Sequence, residues 1–390
     1  MKLSSLLFLL LATFHNVDAS PLVPQHLQPH RRQIQQQQQQ GQQQPQHAEL
    51  QLKQCTETLA PADALNPLCF VTDTVSSEAQ TFLKSRLGIT PSLNWTDTAA
   101  GKLAAAAFNN VTGPGSAAAA AKFLQDVRND TIGGVPVTIG TPYGMKPRNA
   151  RKLLIHAHGG AYVRGSCYHY WHVTAMMAQL AGVQVLCFEY RLAFDAPFPA
   201  ALDDALAVYT ALITSNRYKP RNIAFVGDSA GGGLALALLL KAKQQRLPLP
   251  GALLLMSPWA DLTKSGDTQT TLTGVDPILQ YELNLAQPAL TYVNGDKELL
   301  QQPLVSPLKA DAAAFEGFPP TLIQVGLRDS FLSLSTMLHR KLTSVGVEST
   351  VSPWEGMWHV FQGANGVVPE AQEAQREMAK FLVKHLKLAS

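Results

Sequence analysis

Gly227-Asp228-Ser229-Ala230-Gly231 decides the reading of this chain. The pattern is G-x-S-x-G, which by itself occurs by chance in many proteins; its flanks give it weight. Asn222–Gly227 reads as a short buried strand, and Gly231–Lys241, rich in leucine and alanine, reads as a helix. A serine on a tight strand-to-helix turn projects its hydroxyl out of the sheet, where a base can reach it. The helix N-terminus aims backbone N–H groups and the positive end of its dipole at the same spot. Glycine at 227 and 231 lets the backbone turn without Cβ clashes. Ser229 is therefore the candidate nucleophile.

Working outward, strand-like and helix-like runs alternate. Val135–Thr141, Lys152–Ala157, Val183–Tyr190, Gly251–Ser257, Thr321–Val325 and Glu348–Pro353 read as strands, with helices over Ala200–Thr214, Ser333–Ser344 and Ala371–Leu386. That alternation predicts an α/β fold: a mostly parallel sheet with helices on both faces and its site at the carboxyl ends of the strands. Residues 55–134 are alanine-rich, with helices expected at Ala79–Leu87 and Gly115–Val127, and read as a helical cap on a catalytic domain spanning 135–390. A polar insertion near 263–303 is a second possible contributor to the cap.

A serine nucleophile needs a base, and the base needs an orienting acid. Three histidines follow Ser229. His339 and His385 fall inside helical runs and read as surface or packing residues. His359 comes just after the last strand, where a base belongs. Asp329 ends the apolar run Thr321–Arg328 and is the candidate acid; Asp311 has no strand before it, and Glu355 reads as a solvated turn residue. The small residues of His158-Gly159-Gly160-Ala161 follow a strand. The N–H groups of Gly160 and Ala161, with that of Ala230, are the expected oxyanion hole, Gly159 substituting if the loop register differs. His156-x-His158 could instead suggest a metal pair, but no further ligands follow at suitable spacing, so no metal is assigned.

The 390 residues are 46% hydrophobic and only 15% charged, with a formal net charge of +3. That suits a large α/β enzyme and gives no basic field for nucleic acid. Met1–Ala19 carries Lys2, the apolar run Leu6–Ala12 and small residues before a cleavage position, the form of a secretory signal peptide. No segment is long and apolar enough to span a bilayer. Residues 20–54 are glutamine-rich and read as a disordered linker in which Arg31-Arg32 could be a processing site. Sequons at Asn94, Asn110 and Asn129 agree with secretion. Cys55 and Cys69 are expected to form a short disulfide loop. Cys187 reads as a buried strand thiol, and pairing between it and Cys167 is not expected.

From about Lys152 to His385 the chain resembles the hormone-sensitive-lipase-like esterases of the α/β-hydrolase fold. His158–Ala161 matches the family's H-G-G-G. Glu189-Tyr-Arg-Leu-Ala193 with Pro197–Asp204 matches its Y-R-L-A-P-E…F-P-A-A-L-x-D segment, and Gly227–Gly232 its G-D-S-A-G-G. Ser257-Pro258-Trp259, Asp276-Pro277-Ile278, Val305–Leu308, Arg328-Asp329 and His359-Val-Phe361 match further segments in order. Ala161 stands where the third glycine is usual, and Phe194 replaces a proline. The resemblance implies hydrolysis of small-molecule esters through an acyl-enzyme by Ser229, Asp329 and His359, with no cofactor. Lactonase and deacetylase chemistry would use the same triad. A non-catalytic receptor on this fold would be expected to have lost the base.

Overall fold

A computed structural model of the chain describes residues 70–86 and 98–389. The signal-like segment, the glutamine-rich linker, Cys55, Cys69 and Asn94 lie outside them.

The central strands form because their residues are mostly apolar on both faces. Every residue of β3 (Leu153–Ala157) and β6 (Ala252–Met256) is buried. Successive residues go to opposite sides: Leu253 and Leu255 join one core cluster, Ala252, Leu254 and Met256 the other. Such uninterrupted apolar runs are the mark of a parallel sheet covered on both faces.

The other strands are β1 (Leu124–Ile132), β2 (Val135–Pro142), β4 (Gln184–Phe188), β5 (Ile223–Asp228), β7 (Thr321–Gly326) and β8 (Ser349–Trp354). The eight-stranded order is β1-β2-β4-β3-β5-β6-β7-β8. The pairs β1/β2 and β2/β4 are antiparallel and the rest parallel. One face is covered by α4 (Ala200–Thr214), α5 (Ala230–Gln244) and α7 (Leu332–Ser344), the other by α3 (Trp171–Ala181) and α8 (Pro369–Leu386). Before the sheet come α1 (Ser77–Arg86) and α2 (Thr98–Phe123); α6 (Ala286–Tyr292) lies in the insertion.

The expected strands and the expected helices of the sheet layers are present within two residues of their bounds, except that α5 runs three residues past its expected end, to Gln244. The helix expected over Gly115–Val127 is not: it stops at Phe123, and Leu124–Ile132 is an eighth strand. Only Leu124 of β1 is buried, since the strand pairs on one side alone. Its polar sequence hides the alternation by which a half-buried strand is recognised. Asn129 is exposed on β1 and accepts a hydrogen bond from Thr138, and Asn110 is exposed on α2.

Cys167 and Cys187 form a disulfide, which corrects the expectation that they stay unpaired. The chain between β3 and α3 doubles back through a short helical turn (Cys167–His169) onto β4. That return brings the two Cα atoms to 5.5 Å, within bridging range, although 20 residues separate them in sequence.

Candidate active site

Ser229 leaves β5 with φ 54° and ψ −120° and starts α5 in the next residue. A non-glycine residue in that conformation is strained, and the strain turns the side chain off the sheet edge. The turn is possible because its neighbours lack side chains. A Cβ on Gly227 would strike the Gly231 carbonyl, and one on Gly231 would strike that of Ala157. Ser229 is 6% exposed.

Two loops on the far strands are sewn together. After β7, Arg328 N donates to Met357 O at 3.0 Å, and Leu327 N to Trp354 O at 2.9 Å. This brings Asp329 against His359, whose Nδ1 lies 3.2 Å from Asp329 Oδ1. The same oxygen accepts the Phe331 N–H at 2.8 Å. Behind the base, Ser257 Oγ accepts the Val360 N–H at 3.1 Å and Phe331 meets the imidazole edge-on. Burial pushes the His359 imidazole down; the charge of Asp329 and its hydrogen bond, with Asp276 and Asp228 beyond, push it up and prevail. Ser229 Oγ makes no hydrogen bond to His359 among the described residues. In ligand-free sites such contacts commonly tighten only with substrate bound.

The loop that carries the candidate oxyanion donors is braced from two sides. Gly159 N donates to Asp228 Oδ2 at 3.1 Å, and the other carboxylate oxygen meets His156 Nε2 at 2.8 Å. Tyr190 Oη donates to His158 O at 2.8 Å while its ring stacks on the imidazole of His158. Gly160 follows at φ +112°, a region open to glycine, and Ala161 at φ 55°. Among the described residues, the N–H groups of Gly160, Ala161 and Ala230 donate to no other group. Gly159 is thereby removed from the donor set: its N–H is spent on Asp228.

The remaining expectations sort cleanly. His339 pairs with Ser349 Oγ, and His385 lies against Phe381. Glu355 and Asp311 are exposed. His156 Nε2 meets Asp228 and His158 Nδ1 the Gly159 carbonyl. Burial pushes the His158 imidazole down to about 4, against the pull of the Gly159 carbonyl, so it stays neutral. The Tyr190–Arg191 motif is structural at its second residue: Arg191 Nε and Nη2 grip the Asp204 carboxylate at 2.8–3.1 Å.

Sequence reasoning missed three supports. Asp228 stood inside the quoted pattern and Tyr190 inside a matched segment, but neither shows its partner in sequence. The third, Asp276, opens another matched segment, within the insertion. One ligand atom each from Asp276, Asp329 and His359 converge within 4.8 Å of one another.

Residues 154–363 match the alpha/beta hydrolase fold family. The chain is 34% identical to an acetyl-hydrolase of Streptomyces hygroscopicus over 64% of its length and 83% of that protein. It is 36% identical to an esterase of Acinetobacter venetianus, over 60% of this chain and 75% of that one. Among solved structures it is similar to an esterase of the bacterial hormone-sensitive lipase family, with a TM-score of 0.63 and 34% identity over 67% of this chain and 84% of the other. A second esterase structure covers 82% of this chain and 96% of its own, with a TM-score of 0.73 and 31% identity.

Proposed function

The chain belongs to the alpha/beta hydrolase fold family, among the hormone-sensitive-lipase-like carboxylic ester hydrolases, and from that premise we propose that it is a secreted serine esterase acting on small to medium acyl esters. The observation that carries the reading is the junction of Asp329 with His359 at the strand ends that also present Ser229 and three unspent N–H groups.

Each group then has a task. Asp329 accepts the Nδ1 proton of His359 and so fixes the tautomer whose Nε2 is a free base. Nε2 takes the hydroxyl proton as Ser229 Oγ attacks the ester carbonyl. The carbonyl oxygen becomes an oxyanion, met by the N–H groups of Gly160, Ala161 and Ala230 and by the N-terminal dipole of α5. His359 returns the proton to the departing alcohol, leaving an acyl-enzyme. Water, activated by the same base, releases the acid.

A short acyl group is supported by the acetyl-hydrolase among the relatives. Export is supported by the signal-like leader and by the Cys167–Cys187 bridge, since disulfides persist mainly in oxidising compartments. No helix among the described residues is long and apolar enough to cross a membrane.

The test is a panel of chromogenic esters of increasing acyl length on purified protein and on Ser229→Ala. Turnover that favours short chains, and a loss on the order of 10⁴-fold or more in the variant, is expected. A folded Ser229→Ala retaining more than about a tenth of the activity would remove Ser229 from its role.

A further inference from the structure

Asp276 is a fully buried carboxyl that the mechanism above does not use. Its Oδ1 accepts the N–H groups of Ile278 and Leu279 at 2.9 and 3.2 Å, and its Oδ2 that of Ser330 at 3.1 Å. Ser330 is the residue after the candidate acid. Asp329 is also fully buried, and its two oxygens are unequal. Oδ1 takes Phe331 N and His359 Nδ1, whereas Oδ2 is shut away from solvent with no hydrogen-bond partner.

Two carboxylates so close in a dry site repel each other, and such pairs do not both ionise. The charges that could relieve them are few. Arg328 is adjacent, but its guanidinium donates to Val275 O and Phe70 O and forms no ion pair with Asp276. Glu355 lies beyond it and is exposed. Asp228 adds a further negative charge that acts on His359. The imidazole itself must be neutral to act as the base. A proton satisfies both defects at once: it removes one negative charge, and it is the donor that Asp329 Oδ2 lacks.

We propose that Asp276 is a positioning residue of this triad, sharing one proton with Asp329 so that the two carboxyls together carry a single negative charge behind His359. The proposal rests on the Ser229–Asp329–His359 reading. It is consistent with the electrostatics: burial, then the charge of Asp329, holds Asp276 well above the usual carboxylate range, against the pull of His359 and the backbone N–H groups. The shared proton does two things. It steadies the oxygen of Asp329 that the imidazole does not use. It also limits the field on His359, which two full charges would hold protonated to higher pH.

The test compares the full-length wild type with Asp276→Asn and Asp329→Asn. Asparagine cannot ionise, so Asp276→Asn leaves the same single negative charge behind His359, and the acid limb of kcat/KM should stay within about half a unit of wild type, whereas two full charges in the wild type would make the variant's limb fall to lower pH. Its maximal kcat should lie within about tenfold of wild type, whereas Asp329→Asn should lose on the order of 10⁴-fold. Stability gives an independent readout. A carboxyl held above its unfolded value contributes stability at low pH that is lost as pH rises through the window between the two values. The Tm of wild type relative to Asp276→Asn should therefore decline from about pH 4 towards neutrality.

If Asp276→Asn folds poorly, infrared spectroscopy of the wild type decides. A neutral carboxylic C=O band should persist at about pH 6, where free carboxyls are ionised. A wild type without that band, or an Asp276→Asn whose acid limb falls well below that of wild type while Asp329→Asn is dead, overturns the shared proton alone. An active Asp329→Asn overturns the triad reading itself.

Discussion

Replacing Asp228 with alanine asks whether the oxyanion loop is held in place by the nucleophile's own neighbour. The carboxylate is 1% exposed and serves two buried groups, His156 Nε2 at 2.8 Å and the Gly159 N–H at 3.1 Å. Alanine strands both. A buried polar group left without a partner costs about 1–3 kcal/mol, so the pair should cost about 2–6 kcal/mol. In a domain of this size that lowers Tm by several degrees. The activity should fall for a different reason. With Gly159 released, the donors on Gly160 and Ala161 lose their anchor, and a misplaced oxyanion donor costs about 10²–10³ in kcat. We expect kcat to drop on the order of 10²-fold with KM nearly unchanged, because the interaction matters most in the transition state. Asp228→Asn keeps the shape and one acceptor, and should recover part of both losses. Calorimetry and steady-state kinetics on a short-chain chromogenic ester measure the two effects separately. An Asp228→Ala protein that melts and turns over like wild type would refute the reasoning.

Because His359 is held above its ordinary value, the acid limb of kcat/KM should have its midpoint above about 6.5, and a midpoint at or below that value counts against the assignment. The sign for stability follows: the favoured imidazolium stabilises the fold fully below the unfolded histidine value, and this is lost as pH rises through the raised native one. The wild type's advantage in Tm over His359→Gln should shrink accordingly. Reducing the Cys167–Cys187 bridge, or replacing both residues with serine, opens a loop of 20 residues and should cost about 3 kcal/mol in the chain-entropy model. An unchanged Tm after full reduction would exclude that contribution. Phe82 stacks on Trp358 at 4.0 Å, directly before His359. Phe82→Ala should lose about 0.5–1.5 kcal/mol of stacking beyond its buried area and lower kcat, whereas Leu103→Ala, 73% exposed, should do neither. Identical behaviour of the two variants would show that the stack does not steady the base.

The central strands were legible because they are mostly apolar on both faces, so each announces itself without reference to a partner. Helix α4 was legible down to its end residues. Strand β1 was not, because an edge strand of polar residues gains its structure from pairing with β2 rather than from its own pattern. The site divides the same way. Ser229, Asp329 and His359 could be placed by chain order and strand ends. The spent N–H of Gly159 could not, because Asp228 reaches it from 69 residues away in sequence. Nor could Asp276, which arrives from an insertion with no strand to position it. The Cys167–Cys187 bridge was misjudged for a related reason: Cys187 reads as core, and only the doubled-back chain supplies its partner.

Helix α1 has its seat at the other end of the chain. Ser76 donates to Glu370 across 294 positions, and Phe70 O receives Arg328 across 258. Leu83 and Ala79, 1% and 0% exposed in the finished protein, pack in one cluster with Met357, Trp358 and Phe361. During synthesis these apolar residues emerge early and have nothing to cover them until the final strand and helix follow. At about 5–20 residues per second, 294 residues take about 15–60 s. For nearly all of that interval the loop bearing His359 does not exist, and Ser229, once made, waits without it. The order in which the ribosome delivers the parts thus delays a competent esterase until its last segment has folded.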